Sequence, residues 1–316
     1  MRRGPSPPER PAAPLAVSAE VRAALAAGRP VVALESTLIT HGLAAPLNLE
    51  VARASEAAVR REGAVPATIA IRGGRLLVGL SDNELALLAA ATGALKASRH
   101  NLAAALGSTR WAGTTVSATM IAAHLAGISV LATGGIGGVH RGGATSMDIS
   151  ADLAELARTP VLVVCAGPKS ILDAALTLEV LETHGVPVVG LATDELPGFF
   201  SRSSGLRLHM RVETPVQAAA LARRHWALGL GSGIVVTTPV PAESALGSSE
   251  AGRAIERATA EAEAKAVHGP AATPWILARV AELTEGRSTT ANVALIEHDA
   301  TIGARIAVAL AASAAA

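Results

Sequence analysis

Two short apolar runs, each closed by a turn rich in glycine or proline, constrain this chain most. Ile128 to Ala132 leads into Gly134, Gly135, Gly137 and Gly138, then His140 and Arg141. Val161 to Cys165 leads into Ala166-Gly167-Pro168 and delivers Lys169 and Ser170. Neither run shows the strict polar alternation of a half-exposed strand. Runs of this kind are buried on both faces, which requires helices above and below a largely parallel sheet. Val31 to Leu34 is a third such run, ending at Glu35-Ser36-Thr37 and, a little further on, His41. Polar side chains at the carboxyl ends of such strands are where an open α/β sheet builds its site.

The remaining segments fit that scheme. Ser18 to Ala27 reads as a helix with Ser18 as its cap, and Asn48 to Glu62 as a second helix stopped by Gly63. Pro66 to Ile71 and Leu76 to Leu80 read as strands joined at Gly73-Gly74, and Ser81 to Glu84 as the capping box of the next helix. Helices are predicted from Met120, over 170–183, over 214–228, over 252–266 and from Thr273 to about Gly286, with strands at 186–191 and 233–238. Arg287 to Asn292 reads as a polar loop, followed by a short strand or turn and an alanine-rich helix. The expected architecture is a single α/β/α domain over residues 18–316 with a mostly parallel central sheet, preceded by a disordered Pro/Arg-rich leader at 1–17.

Composition removes several classes of function. The net charge is +1 with acids and bases mixed, and aromatics make up 2% with no tyrosine, so neither a basic nucleic-acid face nor a stacking platform is expected. The single cysteine, Cys165, excludes an internal disulfide, and its place inside an apolar run makes it core. The longest apolar candidate, Ala118 to Thr133, carries His124 and Gly127 and is too short to span a bilayer. With no signal-like leader, the cytoplasm is the default compartment.

Several residues can carry chemistry. Lys169 follows a buried strand; a lysine at the mouth of an apolar pocket has its ammonium form disfavoured and can attack a sugar aldehyde, or it can simply hold a phosphate. Asp148 and Asp152, four residues apart, would share a helix face and could ligate a hard cation or merely cap the helix. Lys96 to His100 clusters three basic or potentially basic groups, a phosphate site or a solvated turn. Thr114 to Thr119 places four hydroxyls at a helix start, a ready anion site. The glycine cluster ends in His140 where a dinucleotide fingerprint needs a third glycine, so that reading is weak.

The motifs together resemble the pseudouridine-5'-phosphate glycosidases. The matching stretches are ALESTLITHG (Ala33 to Gly42), EGAVPATIAI (Glu62 to Ile71), KASRHNL (Lys96 to Leu102), TTVSATM (Thr114 to Met120), ATGGIGGVHRG (Ala132 to Gly142), SMDISADL (Ser146 to Leu153), CAGPKSILD (Cys165 to Asp173) and TPWILARVAELT (Thr273 to Thr284), with Ala291-Asn292 after them. The likeness runs from about Val31 to the C-terminus. Two departures are visible: Gly269-Pro270 where the family often has Gly-Lys, and Pro168 where a small aliphatic residue is usual.

That resemblance implies reversible cleavage of the C–C glycosidic bond of pseudouridine 5'-phosphate to uracil and ribose 5-phosphate, in pseudouridine catabolism. It implies Lys169 as the nucleophile that forms an imine with the ring-opened ribose, and Glu35 as the proton donor. It further implies Asp148 as ligand to one Mn²⁺ per subunit, with Lys96, Val116, His140, Ser150, Ala151, Asp152 and Asn292 as substrate contacts, Asp152 sharing the metal through water. The implied assembly is a homotrimer. From the residues alone, a Schiff-base aldolase or lyase acting on another phosphosugar suits Lys169 equally well. A non-catalytic nucleotide-binding module rests only on the glycine cluster.

Overall fold

A computed structural model describes residues 13–267 and 272–312. Thirteen strands form in chain order: β1 (Leu15–Val17), β2 (Val31–Leu34), β3 (Val65–Arg72), β4 (Arg75–Val78), β5 (Leu95–Ala97), β6 (Ala112–Thr114), β7 (Val130–Ala132), β8 (Val139–His140), β9 (Leu162–Cys165), β10 (Leu172–Asp173), β11 (Val188–Leu191), β12 (Met210–Val212) and β13 (Ile234–Thr237). The main sheet runs β1-β4-β3-β2-β7-β9-β13-β11-β12, and every pair from β3 through β2 to β12 is parallel. β6 lies antiparallel to the second half of β3, beyond the end of β2, and pairs with β5. This is the expected mixed α/β architecture.

The central strands are buried on both faces because alternate residues feed two separate cores. Val31, Ala33, Leu131, Val163 and Val235 pack against the helices Val116–Ala126, Ala151–Leu156 and Ala174–Thr183. Val32, Leu34, Val130, Leu162, Val164 and Val236 pack against Leu47–Arg61, Pro215–Ala227 and Arg287–Ala312. Each such side chain contributes roughly 1.5–3 kcal/mol on burial, so the sheet holds only while both helical layers are present. A third apolar cluster, built from Ile171, Phe199, Phe200, Leu246, Ile255, Ile276 and Leu295, lies beyond β9 and β13 over the carboxyl edge. Among the described residues no helix is long and apolar enough to cross a membrane.

Four expectations need correction. The leader expected at 1–17 ends earlier: Leu15–Val17 pairs with Leu76–Val78 as the sheet's outer strand, while residues 1–12 lie outside the described residues. Asp148 and Asp152 do not share a helix. Met147, at φ 57°, ends a four-residue helical turn, and the next helix starts only at Ala151, with Ser150 as its cap. Residues 170–173 are not helical, because Leu172–Asp173 pairs with β8 and Asp173 caps the helix from Ala174. Finally, Arg287–Asn292 opens the long helix that reaches Ala312: Gly286, at φ 81°, breaks from the preceding helix, and its carbonyl accepts from Thr289 and Thr290 amides. The Gly269-Pro270 departure lies outside the described residues.

Candidate active site

Because β2, β7 and β9 are neighbours and parallel, their carboxyl ends open on one edge, and there the turns after β7 and β9 are zipped together. The Ile136 amide donates to the Gly167 carbonyl at 3.0 Å, the Lys169 amide to the Ile136 carbonyl at 3.0 Å, and the Ala166 amide to the Gly134 carbonyl at 3.1 Å. Ile136 and Pro168 form a bridge, so Pro168 sits inside this clasp rather than disturbing it. The result fixes the backbone of Lys169 between two cavities that it lines in common with Lys96, Thr37 and Thr273.

One cavity holds Glu35, His41, Thr133, Phe199, Asn292 and Ile296. Glu35 is 5% exposed. Its Oε2 accepts from the Thr37 amide at 2.8 Å and from the Thr37 hydroxyl, and its Oε1 accepts from Thr133 Oγ1 at 3.3 Å. The carboxyl is thereby aimed and held, with Oε1 turned toward the strand end of β7. Asn292 has no intramolecular partner for its side-chain amide among the described residues, and it faces the same space from the long C-terminal helix. His41 enters through a π-helical turn at Leu38–Gly42; burial, aided by the neighbouring Lys96 ammonium, lowers its pKa.

The other cavity is suited to an anion. It is lined by Lys96, His100, Thr115, Val116, His140, Asp148, Ser150 and Asp152. In the first turn of the helix Val116–Ala126, Asp152 accepts from Ser117 and Thr115 accepts from Ala118, at 2.9 and 3.5 Å. No group among the described residues accepts from the Val116 amide, which leaves it for a ligand at the positive end of the helix. Lys96 is half-buried, and its pKa is lowered by burial and by the Lys169 charge, against the pull of Glu35 and Asp152. Arg99, the third cation of the basic cluster, is turned away and paired with the buried Glu155.

Asp152 is buried, and both of its oxygens are engaged by backbone: Oδ1 accepts from Ser117 at 2.9 Å and Oδ2 from Gly137 at 2.8 Å. It ties the helix start to the glycine turn. Gly137 must lack a side chain, since a Cβ there would run into Ser150 and lie 2.8 Å from Asp152 Oδ2. Ser150 caps the following helix through the Asp152 amide at 3.2 Å, and Ala151 begins that helix. Asp148 is unlike Asp152: its side chain is 57% exposed and its Oδ2 lies 3.9 Å from His140 Nδ1. Among the described residues no group of three or more His, Cys, Asp or Glu side chains could hold a metal by itself.

All ten residues singled out from the sequence therefore line these two connected cavities, except that Val116 contributes through its backbone. Thr37, marked in the sequence by its place after Glu35 at a strand end, lines them too, as do Thr133, Phe199 and Ile296, which had no signal of their own; Thr133 was hidden as the first residue of a glycine turn, and Phe199 beside the polar run Ser201 to Ser204.

An α/β fold with two adjoining cavities at the carboxyl edge of its sheet, one holding the buried Glu35 and the other suited to an anion, with Lys169 between them, is the kind of site in which an enzyme handles a phosphorylated small molecule. The comparisons with known proteins narrow it. Residues 20–309 match the family model described as indigoidine synthase A like protein. The chain is 55% identical to the pseudouridine-5'-phosphate glycosidase of Paracoccus denitrificans over 94% of this chain and 98% of that one. It is 52% identical to the enzyme of that name from Caldanaerobacter subterraneus subsp. tengcongensis, over 93% and 96%. Among solved structures, the prealnumycin C-glycosynthase AlnA in complex with ribulose 5-phosphate superposes with a TM-score of 0.88 at 39% identity, over 95% of this chain and 98% of that one. An indigoidine synthase A-like protein from Thermotoga maritima gives 0.85 at 34%, over 96% and 98%. The chain belongs to the indigoidine synthase A-like family, among its pseudouridine-5'-phosphate glycosidases.

Proposed function

We propose that this chain cleaves the C–C glycosidic bond of pseudouridine 5'-phosphate reversibly, giving uracil and ribose 5-phosphate, with Lys169 as nucleophile and Glu35 as proton donor. The observation that carries the reading is the position of Lys169 at the junction of the two cavities. The cavity suited to an anion fits the ribose phosphate, held by Lys96, His140 and the Val116 amide. The other suits the base, with the Asn292 amide free to meet its polar edge.

The chemistry follows from what a C–C bond demands. A uracil carbon leaves poorly unless the sugar carbon can take up a double bond. The Lys169 amine adds to C1' as the ribose ring opens. Its nitrogen lone pair then forms the imine while the C1'–C5 electron pair moves to uracil C5, which takes a proton from Glu35. Water hydrolyses the imine, freeing ribose 5-phosphate and the amine.

Asp148 fits a hard divalent ion of the Mn²⁺ kind: one exposed carboxylate, beside an anion cavity, suits an ion that keeps most of its water and takes substrate oxygens. Bound there, the ion would supply positive charge to those oxygens. Asp152, with both oxygens committed to amides, acts in this reading as the tether of the substrate-binding turns, with Ser150 and Ala151 presenting the helix start. The assembly is proposed to be a homotrimer, which light scattering at three chain masses checks. Incubation with pseudouridine 5'-phosphate and Mn²⁺ tests the function: uracil is released. Turnover of a phosphosugar without uracil would favour the aldolase reading instead, and tight nucleotide binding without turnover the binding module.

A further inference from the structure

We propose that the two oxygens of Glu35 divide the work, Oε2 as anchor and Oε1 as proton carrier, and that Thr133 is the positioning residue that stabilises the charge left on Oε1 when the proton goes to the base. The inference rests on the glycosidase reading of the same site. Oε2 is crowded with donors: the Thr37 amide at 2.8 Å, the Thr37 hydroxyl, and the Leu38 amide at 3.4 Å. Both amides are fixed at the start of the turn Leu38–Gly42, so a hydrogen on Oε2 would face them donor to donor. Among the described residues Oε1 accepts one bond, from Thr133 Oγ1 at 3.3 Å, and keeps a lone pair for a proton.

Thr133 is 4% exposed, and its amide is held by the Val164 carbonyl at 3.0 Å. With Glu35 it lines the cavity assigned to the base and a smaller one formed with Leu34, Ile39, Ala52 and Ile296. The polar members of that smaller cavity give their hydroxyls elsewhere, Ser55 to the Val51 carbonyl at 2.8 Å and Thr68 to Glu56 at 2.5 Å. A charge on Oε1 therefore leans on Thr133. In cleavage the Oε1–H bond breaks as the C5–H bond forms from the C1'–C5 pair, and the pair left on Oε1 makes Glu35 a carboxylate. Thr133 faces a neutral acid at the start and an anion at the end. Its hydrogen bond strengthens along the reaction, which lowers the barrier rather than tightening substrate binding. His41, Lys96 and Lys169 are the other titratable groups lining the base cavity, and substitution of Thr133 leaves all three in place.

Single-turnover uracil release followed across pH tests the proposal, since the rate falls on the basic side as the donor loses its proton. Thr133→Val keeps the branched shape without the hydroxyl and leaves the carboxylate less stabilised, so the basic limb is expected to move up by about one pH unit. A weaker acid also gives its proton more slowly; the plateau is expected to fall about tenfold, with the KM for pseudouridine 5'-phosphate within about twofold of wild type. Thr133→Ala is expected to match Thr133→Val, whatever the packing of valine. Thr133→Ser keeps the hydroxyl and is expected to hold the wild-type limb, with a plateau within about threefold. An unmoved basic limb in either the valine or the alanine variant, or a serine variant as slow as valine, overturns the proposal. A wild type that releases no uracil removes the glycosidase reading and this inference with it. A wild type that turns over beside variants with unmoved limbs removes the inference alone.

Discussion

Replacing Asp152 with asparagine keeps its shape and removes one acceptor. In the native site two backbone amides, of Ser117 and Gly137, each donate to a different carboxylate oxygen at 2.9 and 2.8 Å, in a position 5% exposed. Asparagine can accept from only one of them, and its NH₂ then points at the other N–H. The loss is one hydrogen bond to a charged acceptor, about 1.5–3 kcal/mol, plus the cost of a buried donor left facing a donor, about 1–3 kcal/mol. The sum, roughly 2.5–6 kcal/mol, is a large part of a typical domain stability of about 5–15 kcal/mol, so the variant should fold but with a much lower urea midpoint. Urea unfolding followed by circular dichroism measures it, with the slope against urea checked to be unchanged. Activity should fall as well, since the same bonds set the Val116 amide and the glycine turn around the anion cavity. An Asp152→Asn protein that unfolds within about 0.5 kcal/mol of wild type while losing activity would refute the tethering argument. It would return Asp152 to direct work on substrate or metal.

Two further predictions follow from single side chains. Glu35→Gln keeps an acceptor for the Thr37 amide but has no proton to give; uracil release should fall by about 10²–10⁴ with an unchanged circular dichroism spectrum, and a loss below about tenfold would remove Glu35 as the proton donor. Asp299 is fully buried on the long C-terminal helix with both oxygens unpartnered among the described residues, and burial holds its carboxyl well above the usual range. Its folded pKa therefore exceeds its unfolded one, so its share of stability is whole below the unfolded pKa, near 4, and falls as pH rises toward the folded value, by up to about 1.4 kcal/mol per pH unit. Stability curves of wild type and Asp299→Asn should differ by that slope above about pH 4; parallel curves would show that Asp299 is ionised or paired in the native protein.

Much of the site was legible because its signals are local. Val31–Leu34 and Val161–Cys165 are apolar without a break, so their ends, and hence Glu35 and Lys169, could be placed on one edge of a parallel sheet before any coordinates. The Ser81–Glu84 capping box is present as read. What failed depended on partners distant in sequence. Asp148 and Asp152 have helical spacing, yet Met147 in the left-handed region and Ser150 as a cap separate them. Arg287–Asn292 is polar and looked like a loop, but its Ser and Thr residues lie in the first turns of a helix whose later residues pack under β2 and β7. Phe199 carries no signal of its own because the residues after Phe200, Ser201 to Ser204, are polar, whereas Gly135, 64 positions earlier in the chain, supplies the wall it packs on. The edge strand Met210–Val212 pairs along one side only among the described residues and carries too little apolar pattern to stand out.

The account stands or falls on which amine meets the sugar. Two lysines, Lys96 and Lys169, line both cavities, and only Lys169 is set by the clasp between the turns after β7 and β9. Borohydride reduction of the wild-type enzyme with ribose 5-phosphate, followed by peptide mass mapping, reads the answer directly. The prediction is a single pentose-phosphate adduct on the peptide bearing Lys169, absent in Lys169→Ala. An adduct on Lys96 that persists in Lys169→Ala, or no adduct in a preparation that releases uracil, would contradict it.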